Sequence, residues 1–165
     1  MSYLSILPDK VCNTYEGKTL SLWAMYLYLT VMTFRSLVHT FADDAGLNSI
    51  ASIIVFQFID GLDPNRIIYL FGSLWGGAQI VCLVFSIIIV LKYKNLLPLV
   101  WLLFIFDNIL KLSVLQLRYP GPEYTTSTAP GGITGTFIML LFTLIMFYLS
   151  ICLLYTSDAA DEFMG

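Results

Sequence analysis

The stretch LFIFDNILKL, Leu103–Leu112, sets an acid and a base inside an otherwise apolar run. Asp107 and Lys111 stand four residues apart, so on a helix they share a face and can pair. The run around them extends from Leu96 to Leu117, long enough to cross a bilayer, which takes roughly 20 residues. Similar stretches cover Leu20–Phe41, Ile68–Leu91 and Ile133–Tyr155. Of the 165 residues, 58% are hydrophobic and only 12% are charged. A soluble domain carries about twice that share of charge. The expected fold is therefore an all-α integral membrane protein, a four-transmembrane-helix bundle forming one domain over residues 1–151. The residues before Gly17 lack the basic flank, short apolar core and small-residue cleavage site of a signal peptide, so helix one is expected to be retained.

Lys and Arg in short loops set orientation. Lys10 and Lys18 precede the first span, and Lys92 and Lys94 lie between the second and third. The segment from Ala42 to Arg66 carries Asp43, Asp44, Asp60 and Asp63 against Arg66 alone. This bias places both termini in the cytoplasm. Within that outer segment, LNSIASIIVFQFIDGLDP (Leu47–Pro64) has an apolar core too short to span. It reads as a short interfacial helix begun by Asn48 and ended by Gly61. Its SIIVFQF portion is also strand-like, so a β-rich loop is the alternative.

The polar residues of the spans fall at similar depth. At about 1.5 Å per residue, Arg35, Gln79, Asp107, Asn108 and Lys111 all lie between the middle and the outer side of the membrane. His39 stands one turn above Arg35, and Asp43 one turn above His39. A charge at the centre of a span costs about 2.5–3.5 kcal/mol, so these groups should meet partners. Asp107 is expected to meet Arg35, Lys111 or both, with Gln79 in reach as a neutral partner. A structural role in helix register and a ligand, ion or proton site both fit such a cluster; lipid-facing snorkelling of Arg35 and Lys111 fits less well. The candidate ligand or ion cluster is thus Arg35, His39, Gln79, Asp107, Asn108 and Lys111, with Asp43 and Asp44 as outer-mouth contributors. Two fixed cations against one anion point to an anionic small molecule or lipid as guest, although Asp43 or Asp44 would also balance the charge.

Other chemistry is thin. His39 with Asp43 and Asp44 is weak as a metal set, and no metal or cofactor is expected. Cys12, Cys82 and Cys152 have no ligand or redox spacing and read as packing residues. No nucleophile triad, phosphate loop or basic nucleic-acid patch occurs. Gly72, Gly76 and Gly77 in FGSLWGGAQ have the small-residue spacing of closely packed helices.

The segments FRSLVHTFADDAGLNSIASI, FGSLWGGAQIV, KYKNLLPLVWLLFIFDNILK and APGGITGTFIMLLFTLIMFYLS together resemble a family of small, uncharacterised four-helix bacterial membrane proteins, DoxX-like in overall plan. The resemblance covers roughly Phe34–Ser150. It implies the same bundle in the bacterial inner membrane and supplies no reaction. The family pattern has Glu where Asp107 stands and Arg where Lys111 stands, so both signs are kept while the acid is shortened and the guanidinium fork is lost. The functional expectation is a non-enzymatic membrane protein, either an accessory subunit of a larger membrane complex or a binder of a small or lipidic ligand. A small proton- or ion-coupled transporter acting as a homo-oligomer, a dimer, is the alternative.

The chain closes on CLLYTSDAADE, Cys152–Glu162, which resembles one translated frame of a sequencing adapter. Residues 152–165 are therefore expected to be a non-native tail on a gene of metagenomic origin. Asp158, Asp161 and Glu162 would fall away with it, taking the formal charge from -3 to zero and removing any argument from acidity. Amplifying the gene from unprocessed source DNA and sequencing past Ile151 should give different codons. Recovery of the same YTSDAADE codons would show the tail to be genuine.

Overall fold

The computed structural model of the chain describes residues 6–126 and 131–152. It is all-helical, with α1 at Thr19–Phe41, α2 at Asn65–Lys92, α3 at Leu97–Leu117 and α4 at Gly131–Ile151. Single 3-10 turns at Lys94–Leu96 and Pro122–Tyr124 join them. The first and third helices match the sequence reading to within a residue. Helix α2 begins earlier, at Asn65 rather than Ile68, because the Asp63 carboxylate accepts the Asn65 N–H at 3.0 Å and partners an otherwise orphaned donor of the first turn. Pro98 sits in the first turn of α3, where its missing N–H costs nothing. The expected end of the fourth span at Tyr155, and the adapter-like tail beyond Cys152, lie outside the described residues.

Helix α2 and the segment Lys94–Leu117 are long and apolar enough to cross a membrane. At about 1.5 Å per residue, each exceeds the roughly 30 Å of a hydrocarbon core. Along α2, Ile67, Leu70, Leu74, Val81 and Phe85 recur at helical spacing, and all are more than half exposed. An apolar stripe of that length marks a surface that does not face water.

The core is built at spacings of three and four residues. Met25, Tyr28, Leu29 and Met32 of α1 meet Leu97, Val100, Trp101 and Phe104 of α3, with Leu83 and Val90 of α2 and Met146 of α4. Tyr28 packs on Trp101, Phe104 and Phe142, its ring 4.7 Å from that of Phe104. Polar atoms here are satisfied across helices. The Trp101 indole N–H donates to Ser21 Oγ, and that hydroxyl donates to the Met146 carbonyl, each at 2.8 Å. One relay thus ties α3, α1 and α4.

Each end of the bundle is also fastened. At one end the Asn95 side chain accepts the Cys12 N–H at 3.0 Å and donates to the Lys10 carbonyl at 2.7 Å. At the other, the two long loops pair briefly. Ile54 N–H donates to the Tyr124 carbonyl and Thr126 N–H to the Ser52 carbonyl, around an antiparallel bridge between Ile53 and Thr125.

That bridge corrects the sequence reading of Leu47–Pro64. No helix forms there. Asn48 caps nothing; its side chain donates to the Ile53 carbonyl and accepts from the Tyr69 hydroxyl of α2. Gly61 (φ +80°) turns a small loop closed by Ile59 and Leu62 rather than ending a helix. Short polar side chains that bond nearby backbone compete with helix, and the β-branched SIIV run prefers the extended alternative.

Helices α1 and α2 pack closely because Gly76 has no side chain. A Cβ there would stand 2.7 Å from Thr40 Oγ1 and 2.8 Å from both His39 Cβ and the Thr40 backbone nitrogen. Backbone cannot swing aside as a side-chain tip can. At Gly77 a Cβ would meet nothing within 4 Å. Gly76→Ala should therefore cost about 1–3 kcal/mol by overpacking. Gly77→Ala should gain up to about 1 kcal/mol of helix propensity. Thermal unfolding of the two variants in mild detergent checks the opposite signs.

Candidate functional site

The helices bring Arg35, His39, Asp107 and Lys111 to the wall of one cavity of about 550 Å³, beneath the paired loops. A smaller cavity of about 270 Å³ adjoins it, sharing Arg35, His39 and Lys111 and adding Tyr28 and Asn108. Most of the remaining wall is apolar. Leu47, Ala51 and Ile53 come from the first loop, Leu110, Val114 and Leu115 from α3, and Gly132 and Thr136 from α4.

At the centre stands Trp75 of α2, a residue the sequence reading passed over. The Arg35 guanidinium carbon lies 4.9 Å from its ring centroid and Lys111 Nζ 5.8 Å from it. The His39 ring packs on the same indole at 4.9 Å. The signal was present in the sequence. Trp75 lies one turn before Gln79 on α2, which brings it level with Arg35 and Lys111. Gly76 beside it lets α1 approach, and Gly72 makes room for Ala45 and Leu47 of the turn that follows α1.

Asp107 pairs with Lys111 on its own helix, as the four-residue spacing predicts. Arg35, the other partner expected for Asp107, does not pair with it. Among the described residues, Arg35 has no carboxylate within 4.0 Å. Lys111 reaches the acid without leaving α3, and the face of Trp75 receives the guanidinium instead. That exchange is incomplete in energy. A cation over an aromatic face gains about 0.5–1 kcal/mol, roughly 2 when dehydrated. Taking a charge out of water costs several kcal/mol. Arg35 is left with donors to spare at the cavity wall.

His39 is fixed more firmly. It is buried, and its Nδ1 contacts the Ala45 carbonyl at 2.7 Å. A carbonyl only accepts, so Nδ1 carries the proton and Nε2 of the neutral ring is a lone pair. Nε2 is buried with no hydrogen-bond partner. The turn that positions the ring is strained. Ala45 and Gly46 both have positive φ, 50° and 67°. A Cβ on residue 46 would come within 3.1 Å of His39 Nδ1, so glycine lets the turn close over the imidazole. Asp44 holds this turn by accepting the N–H groups of Gly46 and Ser49, each at 2.8 Å. Burial pushes its carboxyl up, but the bonds from Ser49 and Gly46 outweigh this and hold it below the usual carboxylate range.

The remaining candidates divide. Asn108 is buried, but its amide donates to the Phe104 carbonyl of its own helix. Gln79 accepts from the Ser36 hydroxyl at 3.0 Å and borders a separate cavity with Trp75 and Asp107. Asp43 and Asp44 border neither of the two main cavities, and Asp44 is committed to its turn, so neither balances Arg35. Among the described residues, no three His, Cys, Asp or Glu side chains gather as a metal site would require. Comparison with family models, curated proteins and solved structures returns no match.

Removing one partner of a pair such as Asp107–Lys111 strands the other charge. Asp107→Asn should destabilise the protein by about 1.5–3 kcal/mol, the range for a charge-assisted hydrogen bond. Lys111→Met added to it should restore most of that loss. A double-mutant cycle of thermal unfolding reads the coupling, and simple additivity would show that the pair is decorative.

Proposed function

We propose that this protein is a four-span membrane protein that binds an anionic amphiphile in the outer half of its bundle. The observation that carries the reading is Arg35, a cation without a carboxylate partner among the described residues, at the wall of a largely apolar cavity. The cavity volume of about 550 Å³ lies within the roughly 300–1,000 Å³ of small-molecule sites. Apolar walls with a few convergent polar groups suit a ligand with a charged head and a greasy body. Leu110 and Val114 border the cavity yet are more than half exposed on the outer face of α3. Cavity and lipid-facing surface therefore run together, giving a tail a lateral way in.

The four-span arrangement rests on two helices that qualify by length and composition, with α4 as long as α3 and α1 carrying more polar residues. Both complete the burial of the other two. The lysines of the N-terminal segment and the α2–α3 turn share one end, which the Asn95 contacts fasten together. This favours a cytoplasmic location for that end by the positive-inside rule. On this reading the protein resides in a bacterial inner membrane, and its plan remains similar to that of DoxX-like proteins. The half of the bundle away from the site is filled by Met25, Leu97, Val100 and Trp101, which favours a closed cup over a transport path. Service as an accessory subunit in a larger complex or as a homo-oligomer is compatible with the same cup.

Native mass spectrometry of gently purified protein tests the reading. An adduct with the mass of an anionic amphiphile should accompany the wild type. Arg35→Gln should cut its occupancy about tenfold, the equivalent of 1.4 kcal/mol. No adduct, or one indifferent to Arg35→Gln in a folded protein, would overturn it.

A further inference from the structure

The buried imidazole edge says more about the guest than the cation does. A carboxylate or phosphodiester would satisfy Arg35, but both are acceptors only and would face the lone pair of His39 Nε2. A buried acceptor left without a donor costs about 1–3 kcal/mol. The site as built asks for a head that carries a negative charge and an O–H together. Arg35 and His39 are one turn apart on α1, so the two features must sit close to each other. A phosphomonoester monoanion has both on a single phosphorus.

Resting on the amphiphile-binding reading above, we infer that the guest is a phosphomonoester-headed amphiphile, whose P–O⁻ lies against Arg35 and whose P–O–H donates to His39 Nε2. The Ala45 carbonyl makes this possible by fixing the proton on Nδ1. The charged groups facing the ring are Arg35 on its own helix, Asp44 in the following turn and Lys111 on α3. Asp107, paired to Lys111, stands behind it. Helix α2 packs Trp75 on the ring and Gly76 against His39 Cβ, and among the described residues those of α4 that share its cavities, Gly132, Gly135, Thr136 and Met139, do not titrate. The proton between Nε2 and the phosphate oxygen belongs to the pair, and binding keeps it there. Trp75 supplies a flat wall shared by Arg35 and His39, and Leu110, Val114 and Leu115 offer the tail its apolar channel.

The test places the wild-type protein in nanodiscs of zwitterionic phosphatidylcholine with equal amounts of dodecyl phosphate and its monomethyl ester. The two have the same tail and differ by one methylene in mass, so native mass spectrometry counts both on one protein. At pH 5.5 each head carries about one negative charge, but only the phosphate has an O–H. It should be retained about tenfold over the ester. At pH 8, above the second phosphate ionisation near 6, that preference should shrink toward unity. A preference that instead grows with pH would mean that charge alone is read, and would overturn the inference. Equal retention at both pH values, with Arg35→Gln releasing both probes, would also overturn it while leaving the amphiphile reading intact. Retention of neither probe would remove the amphiphile reading as well. Preferential retention of dodecanoyl lysophosphatidylglycerol over both would assign the O–H to a glycerol head and reject the phosphomonoester.

Discussion

The structure depends on how three cations and potential cations are held around one indole. Trp75 contacts Arg35, Lys111 and His39, which come from two different helices. A tryptophan can serve this way because its face is weakly negative while its body is apolar. A carboxylate in the same place would neutralise a cation outright and would itself need desolvation. The indole lowers the cost of a buried positive charge without cancelling it. The site therefore keeps its electrostatic appetite.

Getting Trp75 into that position demands a close approach of α1 to α2, and the approach is paid in side chains. Gly72 lies beneath Ala45 and Leu47, and Gly76 beneath His39 and Thr40. The turn after α1 folds back over the same place through two successive left-handed residues. Strain of about 1–2 kcal/mol at Ala45 is offset by the bonds of Asp44 to Gly46 and Ser49 and by the His39 contact. The strained turn and the fixed tautomer are thus one device. Ala45 takes its conformation partly because its carbonyl has His39 to bond, and His39 keeps a buried lone pair on Nε2 because that carbonyl is there.

Sequence alone carries the helices, which follow from period, and the common level of Arg35, His39, Asp107 and Lys111, which follows from depth. Apolar runs broken by Gly46, Gly61 and the Pro/Gly-rich connector locate the elements, and a rise of 1.5 Å per residue levels Arg35, Asp107 and Lys111. What it does not carry is pairing. Depth cannot say which neighbour at a given level turns toward which, and the intrahelical partner of Asp107 prevailed over the one on α1. Trp75 is masked by its surroundings, since an aromatic residue in an apolar, aromatic-rich chain draws no notice. The outer loop was misread because its apolar residues satisfy helix and strand patterns alike. Its fate is decided by Tyr124 and Thr126, which lie some 70 residues away.

The charge balance and the shape of the bundle lead to the same place. If the polar residues served only to lock helices together, the most economical arrangement would pair Arg35 with Asp107 and leave Lys111 at the interface. The observed one spends Asp107 on Lys111, gives Arg35 an aromatic face, and leaves a buried imidazole nitrogen unbonded. Each of those choices makes the empty bundle less stable than it need be. All three deficits open on the same pair of cavities, while the Trp101–Ser21–Met146 relay in the other half leaves no comparable one. These departures, with a further one at Gln79 Nε2, which is buried without a hydrogen-bond partner, are of the kind that marks functional or strained sites.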